Sequence, residues 1–388
     1  MLNINHHRPY RLAFITPVPV EGGAEINLLR LIKALDRQRV DPIKVLVHSG
    51  GTLAASYRSE GLNVNAFTFY KRDWKSPWRI AQTYSQLALP LLLSKPDLIQ
   101  INLQYGLDYT AWLAQRIKIP FIIHVRGVET QGWKKKDIFW MELADKVVAC
   151  SNAVKYSLIK SGLSEPKIKV IYDGLDTQAF LYEETEKEED FPYFMDKSLK
   201  YIGMVGRVIP EKGIIDFIYA ARLIKNHYPH VKFLVVGTGP EDFLLQVENI
   251  TKELGLTEDI VFTGFIQHIA NIMMNLDVLV LATHDPKNEL VEAFPNNILE
   301  AMAAKTPVVA SRSGGVVEQL AENRGILFTP GNSEELAQAI VSALSLSDNQ
   351  REVMVERAYQ AVVTKYSLRE QANQFVSLYD EILTIKGL

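Results

Sequence analysis

The sequence has little cysteine and no long hydrophobic run. Its single cysteine, Cys150, allows no internal disulfide and no cysteine metal cluster, which fits a reducing compartment. The run LALPLLL (87–93) is too short to cross a bilayer. The first residues, MLNINHHRPYR, lack the apolar core of a secretory signal peptide. These absences predict a cytoplasmic protein that is at most peripheral on the cytoplasmic face of a membrane.

Positive and negative charges nearly balance over the whole chain, but they are unevenly distributed between its two halves. The 42 Lys and Arg residues against 45 Asp and Glu residues give a formal net charge of −3. Residues 1–180 hold 24 basic and 15 acidic side chains, and the remainder holds 18 and 30. A basic half joined to an acidic half suggests that the halves meet different partners, with two solvated surfaces of unlike composition as the alternative. A net acidic chain without a recognised motif disfavours a nucleic-acid partner.

Short apolar runs alternate with amphipathic helical segments, and this alternation occurs in two series. Near-continuous apolar strands separated by helices are typical of a parallel sheet that is covered on both faces. With 388 residues the chain has room for two or three domains. The sequence therefore predicts an α/β protein with two doubly wound domains. We place the first domain at 1–180, an acid-rich linker at 181–198, the second domain at 199–365 and a last helix within 366–388.

The loop GMVGRVIPEKG (203–213) follows the first strand of the second domain and presents Arg207 and Lys212 before a helix. An arginine fork and a lysine point charge at the carboxyl end of a strand suit a diphosphate. Two solvated surface cations are the alternative. The neighbouring VVGTGP (235–240) has a Gly-x-Gly turn but lacks the third glycine of a dinucleotide fingerprint, which disfavours an NAD-linked oxidoreductase.

Two glutamates, Glu292 and Glu300, lie on either side of a proline in EAFPNNILEAMA (292–303). Because Pro295 suits the first turn of a helix, we predict a loop that ends there and a helix over about 296–305. Both acids would then border a helix N-terminus, where unpaired backbone N–H groups favour an anion.

The first domain has two glycines after its first strand and a histidine at the end of a later strand. TPVPVEGGAE (16–25) places Gly22 and Gly23 where backbone N–H groups can approach a phosphate or a sugar, because no Cβ intervenes. His124 ends the strand-like run PFIIHV (120–125). A simple turn before a helix and a structural histidine are the alternatives.

Two basic stretches of the first domain also contain tryptophan. They are YKRDWKSPWR (70–79) and GWKKKD (132–137). Tryptophan with lysine and arginine suits an anionic membrane surface, or a phosphorylated or sugar acceptor that stacks on the rings. A solvated basic loop is the alternative. The candidate acceptor or membrane residues are Lys71, Arg72, Trp74, Lys75, Trp78 and Arg79.

Taken in order, these motifs resemble those of the family-four retaining glycosyltransferases of the GT-B fold. The matching segments span almost the full chain and are GGAE, the strand-end histidine, CSNAVKYSLIKSG, KIKVIYDGLD, GRVIPEKG, EAFPNNILEAMA and TPVVASRSGGVVEQL. The resemblance implies two Rossmann-like domains that face each other across a cleft. It also implies that the last helix crosses back to the first domain.

The resemblance further implies roles for the candidate residues. Arg207 and Lys212 would hold the diphosphate of the donor, and Glu292 would bind the donor sugar. Glu300 would bind the ribose hydroxyls, and His124 would lie beside the reacting sugar. The catalytic set is therefore Arg207, Lys212, Glu292 and His124. The donor-binding residues are glycines at strand ends and the start of the predicted helix, namely Gly22, Gly23, Gly206, Gly237, Gly264, Phe294, Pro295, Asn296, Asn297 and Glu300.

The implied activity is transfer of a hexosyl or N-acetylhexosaminyl group from a nucleotide-diphosphate sugar to a hydroxyl of a glycan, lipid-linked or small-molecule acceptor, with retention of configuration. A UDP-sugar is the first expectation for the donor and GDP-mannose the second. No D-x-D cluster is placed to hold a metal between phosphates, so we expect no metal or cofactor, with cationic side chains in that role. Two alternatives remain, a non-hydrolysing nucleotide-sugar epimerase and a non-catalytic scaffold partner of another transferase.

Overall fold

The computed structural model describes residues 8–19, 22–70, 76–129, 132–185, 196, 198–284 and 291–387. Four of the residues predicted to bind an acceptor or membrane lie outside these ranges, as does most of the stretch 181–198; they are Lys71, Arg72, Trp74 and Lys75. The chain divides into two compact units. The first comprises Met1–Gly127, Gly132–Asp173 and Leu368–Leu388, and the second comprises Val128–Gln131 and Gly174–Ser367.

Strands and helices alternate along both units. The strands are β1 (Tyr10–Thr16), β2 (Val40–His48), β3 (Val64–Phe67), β4 (Leu98–Asn102), β5 (Phe121–Val125), β6 (Lys146–Ala149), β7 (Ile168–Val170), β8 (Lys200–Val205), β9 (Val231–Val236), β10 (Ile260–Gly264), β11 (Val278–Leu281), β12 (Val308–Ser311) and β13 (Ile326–Phe328). The helices are α1 (Gly23–Ala34), α2 (Leu53–Ser59), α3 (Pro77–Ser94), α4 (Leu107–Ile117), α5 (Lys135–Glu142), α6 (Asn152–Lys160), α7 (Thr177–Thr185), α8 (Ile214–Lys225), α9 (Glu241–Glu253), α10 (Ala270–Asn275), α11 (Asn296–Ala303), α12 (Val316–Gln319), α13 (Ser333–Leu344), α14 (Asp348–Val363) and α15 (Leu368–Ile385).

Each unit is built on one parallel sheet. The first unit has a 7-stranded sheet in the order β3-β2-β1-β4-β5-β6-β7, and the second has a 6-stranded sheet in the order β10-β9-β8-β11-β12-β13. Central strands such as FIIHV in β5 and VLVL in β11 are buried along their whole length. Strands covered on both faces need apolar side chains on both faces, which is why these runs lack polar alternation. The predicted pair of doubly wound α/β domains is thereby confirmed.

The strand order reverses once in each sheet, and this fixes where a ligand can bind. The reversal lies between β1 and β4 in the first unit and between β8 and β11 in the second. At such a point the crossover connections leave on opposite faces, so a crevice opens beyond the carboxyl ends of the two strands. The residues that follow β1, β4, β8 and β11 are therefore the ones to examine.

The core of the first unit is completed by the last helix. Ala372, Phe375 and Tyr379 of α15 are buried in one cluster with side chains of α1 and the central strands. Conversely, α7 packs against α10 and α11, so the second unit begins at Gly174, within the range that the sequence analysis gave to the first domain. No helix in the described part of the chain is long and apolar enough to cross a membrane.

Candidate functional site

Three glycines end neighbouring strands of the second sheet and bring their backbones unusually close. Gly206, Gly237 and Gly264 have φ values of 149°, 139° and 74°, which disfavour a side chain. The Gly237 N–H donates to the Gly264 carbonyl at 2.8 Å, and a Cβ on Gly237 would lie 1.8 Å from the Gly206 oxygen. The strand ends therefore form a surface without side chains, onto which a ligand can approach the backbone.

The two predicted cations follow β8 on the loop beside these glycines. Arg207 is exposed, and no described residue forms an ion pair with it. The Lys212 ammonium donates to Glu292 Oε1 at 2.5 Å, and both side chains are largely buried. The structure thus joins two of the predicted catalytic residues, which are separated by 80 positions in the sequence. Arg207 is the cation that remains available to an anion.

Glu292 is held by side-chain and backbone contacts. The Thr283 hydroxyl, which follows β11, donates to the same Oε1 at 2.6 Å. The Gly315 N–H donates to the Glu292 carbonyl at 2.8 Å. Gly314 has φ +47°, and a Cβ there would lie 2.0 Å from that carbonyl oxygen. One carboxylate oxygen is thus saturated, while Oε2 has no hydrogen bond to a described residue and is the oxygen that a ligand hydroxyl can use.

The helix predicted at 296–305 is α11, and its N-terminus is tied to the end of β8. Pro295 caps the helix, and its carbonyl accepts a hydrogen bond from Gln319 at 3.0 Å. The Asn297 amide donates to the Val205 carbonyl at 2.9 Å. This contact places the first turn of the helix near the end of β8, and the N-terminus of a helix is a position that favours an anion. Phe294 packs edge-on against Tyr366, and Glu300 is buried within α11.

Gly22 and Gly23 lie at the N-terminus of α1. Gly22 precedes the helix, and its N–H donates to Glu25 Oε2 at 3.1 Å. Gly23 is the first residue of the helix. Burial raises the pKa of Glu25, while its backbone hydrogen bonds and the Arg126 charge act in the opposite direction.

His124 lies at the carboxyl end of β5, one residue before Val125, and its side chain is fully buried. Its ring packs against Phe375 with centroids 5.2 Å apart, and Nδ1 lies 3.4 Å from Arg126 Nη2. Burial, reinforced by the Arg126 charge, lowers the pKa of His124 well below its usual value, so the ring is neutral. No part of the ring is exposed.

Trp78 and Arg79 are the described members of the predicted acceptor or membrane set. Trp78 is exposed at the start of α3, and the Arg79 guanidinium lies 4.9 Å from its ring centroid and 5.4 Å from that of Tyr70. Such cation–π contacts keep an arginine and a tryptophan together at a surface. Elsewhere, among the described residues, no group of three or more His, Cys, Asp or Glu side chains is placed to hold a metal ion.

Sequence reasoning missed two parts of the site. Thr283 is the first polar residue after β11. Because the strand order of the sheet reverses at β11, a polar residue at this position is a sign of a ligand site that sequence reasoning could have used. The Arg126–Asp173 pair beside His124 gave no signal, because its members are 47 positions apart and lie in different loops.

The fold and the site define a two-domain transferase of activated sugars, and the comparisons with known proteins agree. The model of Glycosyltransferase Family 4 matches residues 21–179, and that of Glycosyl transferases group 1 matches 185–361. Together the two matches cover most of both units. The chain belongs to the family-four glycosyltransferases of the GT-B fold.

Individual relatives extend over most of the chain. The capsular polysaccharide biosynthesis glycosyltransferase CapM of Staphylococcus aureus is 26% identical over 290 residues, which is 70% of this chain and 73% of CapM. The N,N'-diacetylbacillosaminyl-diphospho-undecaprenol alpha-1,3-N-acetylgalactosaminyltransferase of Campylobacter jejuni is 24% identical over 96% of this chain and 99% of its own. HepE of Anabaena, solved in complex with UDP, has a TM-score of 0.82 at 22% identity and covers 96% of this chain and 100% of HepE. The protein is a glycosyltransferase, and neither the epimerase nor the scaffold alternative is favoured.

Proposed function

We propose that this glycosyltransferase acts with retention of configuration and without a metal, moving a hexosyl or N-acetylhexosaminyl group from a UDP-sugar to a hydroxyl of a glycan, lipid-linked or small-molecule acceptor. The observation that carries the proposal is the cluster of Lys212, Glu292 and Thr283, with the exposed Arg207 on the same loop as Lys212, all at the strand reversal of the second sheet.

The cations account for departure of the nucleoside diphosphate. Negative charge grows on the leaving diphosphate in the transition state, and donors that are already oriented stabilise it most there. Arg207 can fork onto two phosphate oxygens, and Lys212 adds a point charge. The first-turn N–H groups of α11 supply a further partial positive charge. These groups supply the charge that a metal ion would otherwise contribute.

The acid accounts for sugar orientation and for retention. Glu292 Oε2 can accept a sugar hydroxyl, whereas Oε1 is shared by an ammonium and a hydroxyl. A carboxylate paired in this way is a weak nucleophile, which disfavours a covalent glycosyl–enzyme intermediate of the kind used by retaining glycosidases. Attack by the acceptor from the leaving-group face, with the departing phosphate oxygen taking its proton, then preserves the configuration.

The relatives support the choice of substrates. HepE is described in complex with UDP, which supports a uridine donor. The Campylobacter enzyme is named for transfer of N-acetylgalactosamine in an alpha linkage to a diphospho-undecaprenol acceptor, which supports a hexosamine donor and a lipid-linked acceptor. CapM is named for capsular polysaccharide synthesis, which supports a glycan acceptor.

A lipid-linked acceptor would be met at a membrane, and one helix of the first unit suits such a surface. Trp78, Leu89, Leu92 and Leu93 are exposed on α3, and Arg79 lies beside the tryptophan. An exposed apolar helix face next to cations favours an anionic interface. We expect the protein to float with phosphatidylglycerol vesicles and not with phosphatidylcholine vesicles.

Substitution of the exposed leucines tests this surface. Leu92→Ser with Leu93→Ser should abolish flotation, while Leu245→Ser, an equally exposed leucine on α9 of the second unit, should not. Flotation that survives the double substitution would contradict the proposed membrane contact and leave the transferase proposal unaffected.

The donor is tested by a thermal-shift panel of UDP, GDP, ADP and their sugars, with and without EDTA. A ligand at 100 times its Kd adds about 2.7 kcal/mol to the free energy of unfolding. We expect the uridine series to stabilise the protein equally in EDTA, and Arg207→Ala to remove the shift. Arg222→Ala, an exposed arginine on α8, is the matched control and should keep it.

A guanosine or adenosine response would correct the donor base while supporting the diphosphate site. A response that appears only with a divalent metal would contradict the metal-independent mechanism. No response to any nucleotide, with wild-type folding, would contradict the donor site itself.

A further inference from the structure

A buried ion pair lies directly beside His124. Arg126 Nη1 donates to Asp173 Oδ2 at 2.6 Å, and each side chain is only 4% exposed. Asp173 Oδ1 accepts a second hydrogen bond from Gln371 of α15 at 3.0 Å, and Asn27 of α1 provides another. The arginine is therefore fixed through an aspartate that two helices hold in place.

The fixed guanidinium restricts the protonation of His124. Arg126 Nη2 lies 3.4 Å from His124 Nδ1, and a guanidinium can only donate, so this contact requires Nδ1 to be the unprotonated nitrogen. A cation at that distance also opposes a second proton on the ring. A neutral imidazole whose Nδ1 is unprotonated carries its proton on Nε2. His124 Nε2 is buried and has no hydrogen-bond partner among the described residues.

Other side chains in the same row also have unpaired polar atoms. Asn102 is opposite His124 in the register of β4 and β5, and Thr16 ends the adjacent strand β1. Asn102 Oδ1 and Thr16 Oγ1 are buried without hydrogen-bond partners among the described residues. Three unpaired groups at the carboxyl ends of three adjacent strands suit one small polar group, such as a hydroxyl, that both donates and accepts.

We propose that Arg126 is a positioning residue for His124, which it holds as the neutral tautomer with the proton on Nε2. His124 then serves the transfer reaction as a hydrogen-bond donor to a hydroxyl oxygen and not as a cation. This inference rests on the proposed function and on the position of His124 at the carboxyl end of β5, next to the strand reversal between β1 and β4, where ligands of such sheets bind. A neutral donor matters there because the sugar gains positive charge as its bond to the diphosphate breaks, and an imidazolium would oppose that charge.

The tautomer can be measured without any substrate. Selective ¹⁵N labelling of histidine and long-range proton–nitrogen correlation distinguish the two neutral tautomers, and the His124 signals are assigned by their loss in His124→Gln. We expect the wild-type protein to show a single Nε2–H form. Arg126→Lys keeps a positive charge beside Asp173 but lacks the second guanidinium nitrogen that reaches His124 Nδ1. The His124 signals should then become those of a mixture of the two neutral tautomers.

Two controls separate this role from support of the fold. Lys146→Met breaks another ion pair that reaches α15, with Glu381 at 3.1 Å, and should leave the His124 signals unchanged. If Arg126→Lys does not fold, Arg126→Met with Asp173→Asn removes both charges together and should give the same mixture of tautomers.

Kinetics link the tautomer to transfer. With UDP-glucose and UDP-N-acetylglucosamine as probes, Arg126→Lys should lower kcat for UDP release about tenfold with little change in KM, the pattern of a contact made only in the transition state. A wild-type Nδ1–H form, or unchanged signals in the variants, would overturn the proposal. A changed tautomer with unchanged kcat would refute the role of Arg126 in transfer while leaving the donor site, tested separately through Arg207, in place.

Discussion

At the scale of single residues, the carboxylate of Glu292 is oriented because two donors share one of its oxygens. Thr283→Val keeps the shape of that side chain and removes one donor. We expect kcat/KM to fall about tenfold, or about 1.4 kcal/mol, since the sugar contact loosens while the diphosphate contacts remain. UDP affinity should change much less. Initial rates of UDP release and calorimetric titration with UDP measure the two quantities.

The control for this substitution is Thr251→Val. Thr251 is also buried, and its hydroxyl donates to Val247 within α9. The Thr251→Val variant should lose a similar hydrogen bond without a change in kcat/KM. Equal losses of activity in both variants would show that Thr283 supports only the fold.

His124 should make stability depend on pH in mildly acidic solution. Its pKa is lowered by burial and by Arg126, so below the ordinary value of about 6.5 the unfolded chain binds a proton that the folded state does not. The free energy of unfolding should therefore fall by up to about 1.4 kcal/mol per pH unit as the pH drops from about 6.5. His124→Gln should remove this slope in denaturant titrations between pH 5 and 7.

Two features make the comparison specific. Burial also lowers the pKa of His48, but that residue is unchanged in both proteins, so its contribution cancels in the difference. His227→Gln alters an exposed histidine on the second unit and should keep the wild-type slope. A wild-type slope in His124→Gln would mean that His124 is protonated in the folded state.

Sequence reasoning located the site residues that lie next to predicted strands and missed the contacts that depend on packing between distant segments. Arg207, Lys212 and Glu292 lie on loops next to apolar strands, and the carboxyl ends of such strands bind ligands, so their positions were predictable. The Arg126–Asp173 pair depends on how β5 and β7 are spaced across β6, which no local pattern reports. The engagement of the Gly22 amide by Glu25 is a capping-box contact over three positions, a local pattern that the sequence analysis did not consider.

At the scale of elements, we expect glycine-to-alanine substitutions to destabilise the second unit by different amounts, depending on how closely the backbone approaches each glycine. Gly237→Ala puts a methyl group 1.8 Å from the Gly206 oxygen at φ +139°, so the ends of β8 and β9 must separate. Gly255→Ala is strained by its φ of +68° but meets no atom within 4 Å. We expect a cost of about 1–2 kcal/mol for Gly255→Ala from its backbone conformation alone.

Gly237→Ala should cost clearly more than Gly255→Ala and should also weaken UDP binding. Thermal unfolding with and without UDP measures both effects. Equal destabilisation of the two variants, with unchanged UDP binding, would show that the close approach of Gly237 and Gly206 is not needed for the donor site.

The elements themselves were largely readable from the sequence, because buried strands need continuous apolar runs. β5 lies within the strand-like run PFIIHV (120–125), and α11 begins at Asn296 as Pro295 indicated. A proline was the misleading signal in α3. Pro90 lies inside this helix, at a position where proline usually kinks or ends a helix, yet α3 continues to Ser94, and Leu87 and Leu91 on either side of the proline are both buried. Tertiary packing outweighs the local cost of a proline there.

At the scale of the whole molecule, the chain forms two hydrophobic cores, and each of the two units combines segments that are separated in the sequence. The first core needs Phe375 and Tyr379 from the last helix, whereas the second closes with residues before Ser367. The sequence indicated two series of strands but not the junction at Gly174, since α7 looks like any amphipathic segment until its contacts with α10 and α11 are known. Which helix completes which core is decided by packing between distant segments.

Separate cores should respond separately to mutation. Phe375 and Phe217 are both fully buried, the first in the core of the first unit and the second in that of the other. Each change to alanine should cost about 3–5 kcal/mol. Phe375→Ala should increase hydrogen exchange in β1, β4 and β5 and preserve UDP protection of the segments that hold Arg207 and Glu292. Phe217→Ala should increase exchange in β8 and β9 and abolish that protection, because the donor site is built on the second sheet. If instead both variants raise exchange in the same segments and lose UDP protection alike, the two units unfold as one cooperative body, and stability in one unit is set by packing in the other.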